Sequence, residues 1–365
     1  MKKNNIQQIH SSPFKLVFVV SGGGTTALSS MLNIPGASKT VLAAHIPYAQ
    51  KAMEKYLGKQ PPLYCSLDTS IKLAMTAFKE AKELSENKDS LLGIAATASL
   101  ATNYKKKGQH RFFLCAQSPS ATHTFSCELN NNKRTREEEE KLMSSCLLTL
   151  ISKACALTED FPEIAEGFTY EVTRAEKEWQ SLEQRKIPYL CPQKKPAQLI
   201  FPGSFNALHS GHLSMQRLAE KMSGKKLHFE ISIENADKPA LSYYDIHKIL
   251  KQFPKNNWIL TNAGTFVEKA KLFPKSTFVV GVDTLIRIFD SKFYGSDKNM
   301  ELQLNSFLEE KIHFFVFGRK VKNNFISLED ISIPQAFKEI CTSIDEKDFR
   351  YDISSSELKR KKSKV

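Results

Sequence analysis

The stretch "IFPGSFNALHSGHLSMQRLAEKM", residues 200–222, decides the fold of the second half of the chain. Its apolar opening reads as a buried strand that breaks off at Gly203, and from His209 onward the apolar positions recur at helical spacing. Downstream the alternation continues through strand "KLHFEISI", helix "SYYDIHKILKQF", short strand "WILT", helix "FVEKAKLF", strand "STFVVGV", a helix, strand "KIHFFVFG" and a final helix after "DISSSELKRK". Such alternation predicts an α/β fold with a parallel sheet covered on both faces, in which ligands bind beyond the carboxyl ends of the strands. The residues just after each strand are therefore the informative ones. Gly203 ends the first strand, where a missing side chain lets backbone N–H groups approach an anion. His209 and His212 stand at the entry to the next helix, whose N-terminus carries partial positive charge and free amide donors. Two imidazole donors there would hold a polyphosphate. The plainer alternative is that one histidine caps the helix and the other is a surface residue.

With those residues in view, "GSFNALHSGH" resembles the HxGH signature of the nucleotidylyltransferase superfamily, and within it the nicotinamide mononucleotide adenylyltransferase group. Ala207 stands where that group usually has proline. The superfamily's second signature, ISSTxxR, is similar to "ISSSELK" at 353–359, with Ser356 for threonine and Lys359 for arginine. Lysine keeps the charge but loses the bidentate fork. "SSSE" also reads as a capping box on Ser354 and Glu357, and a capped helix start beside a cation is a phosphate site as well. The resemblance implies nucleotide binding by Gly203, Ser204, Phe205, Lys238, Asp283, Arg319, Ser354, Ser355 and Lys359, with His209 and His212 as the catalytic donors. For Lys238 in "NADKPALS" a turn lysine stays open as the other reading, and for Asp283 an ordinary helix cap; Arg319 after "FFVFG" has a similar standing. The implied reaction is a direct displacement at the α-phosphorus of ATP by the phosphate of a mononucleotide. Mg2+ enters with ATP, and no resident metal site is implied.

The 365 residues, 41% of them hydrophobic, can bury large cores in two domains. No uncharged apolar run reaches the roughly 18 residues that a membrane span needs. The opening "MKKNNIQQIHSSPFKLVFVV" leads into a glycine loop rather than a cleavage site, so a cytoplasmic protein is expected. Cys65, Cys115, Cys127, Cys146, Cys155, Cys191 and Cys341 make an odd set without a CxxC, against a disulfide framework or a zinc site. The formal charge of +13 is spread along the chain, and the one dense basic cluster is the terminal "KRKKSKV". Such a charge could mean nucleic acid, but its scatter argues against that partner, and a phosphate-rich small substrate accounts for it equally well.

In the first half, "FKLVFVV" (14–20) reads as a buried strand running into "SGGGTT". "SIKLAMTAFKEAKELSE" (70–86) is an amphipathic helix, "SLLGIAA" and "RFFLCAQ" are strands, and "EEEEKLMSSCLLTLISKACAL" (137–157) is a long closing helix. The expected organisation is an α/β domain over 1–158, a helical connector over 159–195, which is poor in Gly, Ser and Pro, and an α/β domain over 196–365.

"SGGGT" at 21–25, "IPGAS" at 34–38 and "LLGIAATASL" together resemble the competence-damage-inducible (CinA) family, whose C-terminal domain deamidates nicotinamide mononucleotide. The resemblance covers roughly residues 14–157. It implies a site at Ser21 and Ser38 whose expected lysine is Met53 here. Methionine accepts no proton, and Lys51 and Lys55 would point about 200° away around a helix. The domain is therefore expected to be degenerate, serving nucleotide binding or homo-oligomerisation instead of hydrolysis. Three readings of the whole follow: adenylyl transfer from ATP to nicotinate or nicotinamide mononucleotide, transfer from ATP or CTP to another phosphorylated acceptor, or nucleotide binding without catalysis.

Overall fold

A computed structural model of the chain describes residues 3–349, except 105, 132, 194–196, 235–238 and 322–323. The chain divides into two units, one of Met1–Gln180 with Asp237–His247 and the other of Ser181–Ala236 with Lys248–Val365. The architecture is mixed α/β with parallel-rich sheets. No helix among the described residues is long and apolar enough to cross a membrane.

The first unit is built on strands β1 (Lys15–Ser21), β2 (Val41–His45), β3 (Leu91–Ser99), β4 (His110–Gln117), β5 (Ala121–Leu129) and β6 (Thr169–Arg174), in the order β2-β1-β3-β4-β5-β6. β1 runs parallel to β2 and β3, whereas β3 to β6 form an antiparallel meander. The continuous apolar run of β1 has a simple cause: it is buried on both faces. Leu16, Phe18 and Val20 pack with the helices Thr25–Leu32 and Arg136–Ala154, and Val17 and Val19 pack with Gln50–Leu57 and Leu67–Leu84. Small residues on β3 let the last of these helices come close. A Cβ on Gly93 would lie 2.1 Å from the Ala74 carbonyl oxygen, so no larger residue fits there.

The stretch 159–195, expected as a helical connector, is not one. Thr169–Arg174 is an edge strand on β5, Lys177–Glu183 is a short helix, and Tyr189–Leu190, β7, pairs antiparallel in the sheet of the second unit. "TYEVTR" alternates, with Thr, Tyr and Val suited to a half-covered pleat, and that signal outweighs the scarcity of Gly and Pro. Ser242–Tyr244 is also held within the first unit. The Tyr243 amide donates to Thr122 Oγ1 at 3.1 Å, its hydroxyl donates to the Pro119 carbonyl at 2.8 Å, and its ring stacks on Trp179.

The second unit carries β8 (Leu199–Pro202), β9 (Leu227–Ser232), β10 (Trp258–Thr261), β11 (Thr277–Gly281), β12 (His313–Phe317), the hairpin of β13 (Arg319–Val321) and β14 (Asn324–Ile326), and β15 (Cys341–Ile344). The main sheet runs β15-β12-β11-β8-β9-β10-β7, parallel throughout except for β7. The chain leaves β8 toward β9 on one side and returns on the other side at β11. The crevice between β8 and β11 is thus the switch point at which open α/β sheets receive ligands. Ile200 faces a cluster with Phe278, Phe314 and the helices Phe266–Leu272 and Asp297–Glu309. Phe201, one residue on, meets Phe205 and Phe229.

Candidate functional site

The histidine pair sits where strand β8 hands over to the helix Ser210–Ser223. His209 is the N-cap residue, in extended backbone, and His212 lies in the first turn. The two rings stack with centroids 3.7 Å apart and 26° between planes. The His209 amide donates to His212 Nδ1 at 3.4 Å. An accepting nitrogen carries no proton, so the neutral His212 ring holds its proton on Nε2, which is a donor. Burial lowers His209 below the usual histidine range; burial and the neighbouring His209 push His212 down to about 4. Both rings are therefore uncharged at neutral pH. The capping alternative is true of the geometry, and it leaves a donor on His212.

Gly203 does not act as the sequence suggested. Its amide is already given to the Glu230 carbonyl of β9 at 2.9 Å, continuing the sheet, so it is not free for an anion. The glycine is required because a Cβ there would lie 2.5 Å from the Phe205 ring, which folds back over it from a backbone at φ +36°. Phe205 is 4% exposed and packs edge-on against Phe201, His212, Phe229 and Phe253. It shapes the loop and offers no face to a nucleotide. Ser204 and Asn206 are exposed beside it.

Asp283 lies in the first turn of the helix Val282–Ile288 after β11, and Arg319 opens β13 after β12. The structure joins them in an ion pair, with each side chain about half exposed. β12, β11 and β8 are neighbours in the sheet, so this pair and the histidine loop follow the carboxyl ends of adjacent strands. Lys238, Ser354, Ser355 and Lys359 lie outside the described residues. One contributor escaped the sequence reading altogether. Gln252, after the helix Tyr243–Leu250, bonds to both ends of the segment from Phe205 to Leu208.

The glycine loop of the first unit is filled from within. Glu140, from the helix Arg136–Ala154, accepts the Gly24 amide with both oxygens at 3.0 and 2.9 Å and the Thr26 amide at 3.1 Å. Burial alone would raise this carboxyl, but the Thr26 and Gly24 amides hold it below its ordinary value. The rest of the glutamate run is also committed. Glu138 closes a capping box with Thr135, and Glu139, buried, bonds His110 Nδ1 at 2.7 Å and the Ala101 amide at 2.6 Å. Arg134 pairs with Glu166 through two bonds of 2.6 and 2.9 Å, and Arg136 donates to the Gly22 carbonyl at 2.7 Å. Beside the loop lies a cavity of about 340 Å³ lined by Gly23, Ile46, Tyr48, Arg136 and Glu140. Ser21 is buried and donates to the Pro47 carbonyl at 3.0 Å. Ser38 is exposed on the short helix Ala37–Thr40, whereas Met53 is 3% exposed in the core with Val17 and Val19. The three residues expected to share a site thus sit in different environments.

A family model described as cytidylyltransferase-like matches residues 200–361. A "Putative nicotinamide mononucleotide adenylyltransferase" of Schizosaccharomyces pombe is 34% identical over 123 residues, covering 30% of this chain and 48% of that protein. The chain thus spans about half the length of this relative. Among solved structures, the competence/damage-inducible protein CihA of Agrobacterium tumefaciens is 15% identical, with a TM-score of 0.33, covering 42% of this chain and 93% of that one. A CinA superfamily protein of Escherichia coli is 16% identical, with a TM-score of 0.32, covering 42% and 86%. These neighbours cover the N-terminal part of the chain, outside the residues that the family model matches.

Proposed function

We propose that the chain is a nucleotidylyltransferase that moves AMP from ATP to nicotinate or nicotinamide mononucleotide and releases pyrophosphate. The observation that carries this reading is the His209–His212 stack at the switch point, with His212 neutral and its Nε2 proton available. The acceptor's phosphate oxygen attacks the α-phosphorus, and the bond from that phosphorus to the α–β bridging oxygen breaks, its electron pair leaving with pyrophosphate. No side chain needs to become a nucleophile. The protein's work is alignment and the neutralising of charge as it moves onto the leaving group. His212 and His209 donate to the phosphates, and a neutral donor does so without giving up its proton. Asp283 and Arg319 are assigned to the donor nucleotide, and an exposed ion pair can exchange one partner for a ligand. Ser354 and Ser355 are assigned to the outer phosphates, Lys359 to charge neutralisation and Lys238 to the acceptor phosphate, on their sequence resemblance alone. Mg2+ belongs to the substrate, entering with ATP.

The first unit is proposed to be non-hydrolytic. Met53 in the core and Glu140 in the glycine loop both support a scaffold that serves nucleotide binding or self-association. The description of the matched family favours one second reading, with CTP as donor. The test is pyrophosphate release from ATP and from CTP across nicotinate mononucleotide, nicotinamide mononucleotide, phosphopantetheine and phosphocholine. Release with ATP and a pyridine mononucleotide is expected. Release confined to CTP, or to another acceptor, would replace the assignment, and none at all would leave a binding protein.

A further inference from the structure

We propose that Gln252 is the positioning residue of the histidine loop, its carboxamide standing in the Phe205–Leu208 turn in place of the turn's own hydrogen bond. This rests on the transferase reading given above and deepens it. In an ordinary β-turn the fourth residue's amide returns to the first residue's carbonyl. Here the Leu208 amide donates to Gln252 Oε1 at 2.8 Å, and Gln252 Nε2 donates to the Phe205 carbonyl at 2.8 Å. A second donation from Nε2, at 3.4 Å, reaches the Ile249 carbonyl and ties the carboxamide to its own helix end. One side-chain amide therefore acts as an inserted peptide group and holds the turn open by its own width.

What the open turn sets is the aim of the two imidazoles. Leu208 is followed directly by His209, whose amide holds His212, so a shift at Leu208 passes through covalent bonds and one hydrogen bond to both rings. The other end of the turn is Phe205, fixed by its ring over Gly203 and against His212 at 5.2 Å. Phe205 and Gln252 thus grip the loop from opposite sides. Only a planar group with a donor and an acceptor side by side can serve both ends, and glutamine is the residue that reaches. A hydrocarbon in its place would leave the turn to close on itself, drawing His209 toward Phe205.

Two variants test this in the full chain. Gln252→Leu removes both bonds at similar volume. Its kcat for pyrophosphate release should fall about 10- to 100-fold while KM stays within about twofold, since a displacement on the order of 1 Å at reacting groups costs rate more than binding. Gln252→Glu keeps the acceptor for Leu208 but turns a lone pair toward the Phe205 carbonyl at neutral pH. When protonated, its acid hydroxyl restores the donor, so its kcat should rise relative to wild type as pH falls through the carboxyl range. A passive packing role would give no such pH profile. The third measurement needs no turnover: the NMR titration midpoint of His212, held at about 4, should move up toward the ordinary 6.5 in Gln252→Leu as the ring loosens from its packing. Unchanged kcat in Gln252→Leu, or an unmoved His212 midpoint, overturns the inference. If wild type itself releases no pyrophosphate with any acceptor, the transferase reading fails, and the His212 midpoint still decides the role of Gln252.

Discussion

Replacing Glu140 by alanine should destabilise the first unit by about 3 kcal/mol, and the figure can be built from its bonds. The carboxylate satisfies the Gly24 and Thr26 amides at the start of the helix Thr25–Leu32, with weaker bonds from Thr25 Oγ1 at 3.4 Å and Ser144 Oγ at 3.3 Å. Gly24 is buried, so its amide, left dry, costs about 2 kcal/mol. Thr26 is exposed and its amide can turn to water, at about 0.5 kcal/mol. Loss of a negative charge at a helix N-terminus adds about 0.5 kcal/mol. In a unit of this size that total lowers Tm by roughly 6–12 °C. The dependence on pH has a definite sign. The folded carboxyl titrates below its ordinary 4.5, so its contribution is complete above that value and is lost as pH falls through the lower folded one. Thermal and urea melts of wild type and Glu140→Ala, run at neutral pH and near pH 3, measure both effects. The two curves should draw closer in acid, by the part of the difference that the lowered carboxyl carries. A neutral-pH difference under about 0.5 kcal/mol would refute the reasoning, because it would mean that water serves the loop as well as the carboxylate does.

His212→Ala should lower kcat by about 10² to 10³ with little change in KM, and lower Tm only by the few degrees that loss of its cap bond and packing brings, the mark of a donor that acts mainly in the transition state. A lowered Tm with unchanged kcat would mean that the ring is only a cap, worth about 1 kcal/mol. Because His212 stays neutral until about pH 4, wild-type kcat should be level between about pH 5 and 8; a drop centred near 6.5 would contradict its burial. The chain should release no ammonia from nicotinamide mononucleotide, and turnover abolished by Ser38→Ala would overturn the non-hydrolytic assignment. Truncation before Ile353 should abolish ATP binding, while removal of the last four residues should leave it intact; equal affinity in the longer truncation would remove Ser354, Ser355 and Lys359 from the site.

The parts of the molecule legible in the sequence are those written in local period. "FKLVFVV" and "STFVVGV" are apolar without interruption because both faces of their strands are covered, and a run of that kind needs no partner to be recognised. The histidine loop was legible as a strand-to-helix handover for the same reason. Its inner workings were not: the folding back of Phe205 over Gly203 depends on three-dimensional closeness, and Gln252 reaches the loop from 44 residues away along the chain. Glu140 shows the limit most clearly. A run of four glutamates has the composition of a solvated face, yet Glu139 is 0% exposed and Glu140 fills a loop 116 residues upstream. Nothing in the spacing of like charges says which one turns inward.

The stretch Asp237–His247 makes the chain hard to divide. The polypeptide passes between the units at Gln180–Ser181, again at Ala236–Asp237 and again at His247–Lys248. A gene cut at the first of these would deliver a second half whose Tyr243 has lost Thr122, Pro119 and Trp179, and a first half with those positions bare. The two halves are therefore not modules that recombination could shuffle or that an engineer could express one at a time. Once the exchange of this segment was established, the first unit could no longer be deleted without stranding Tyr243, and that is a reason for its retention independent of any activity.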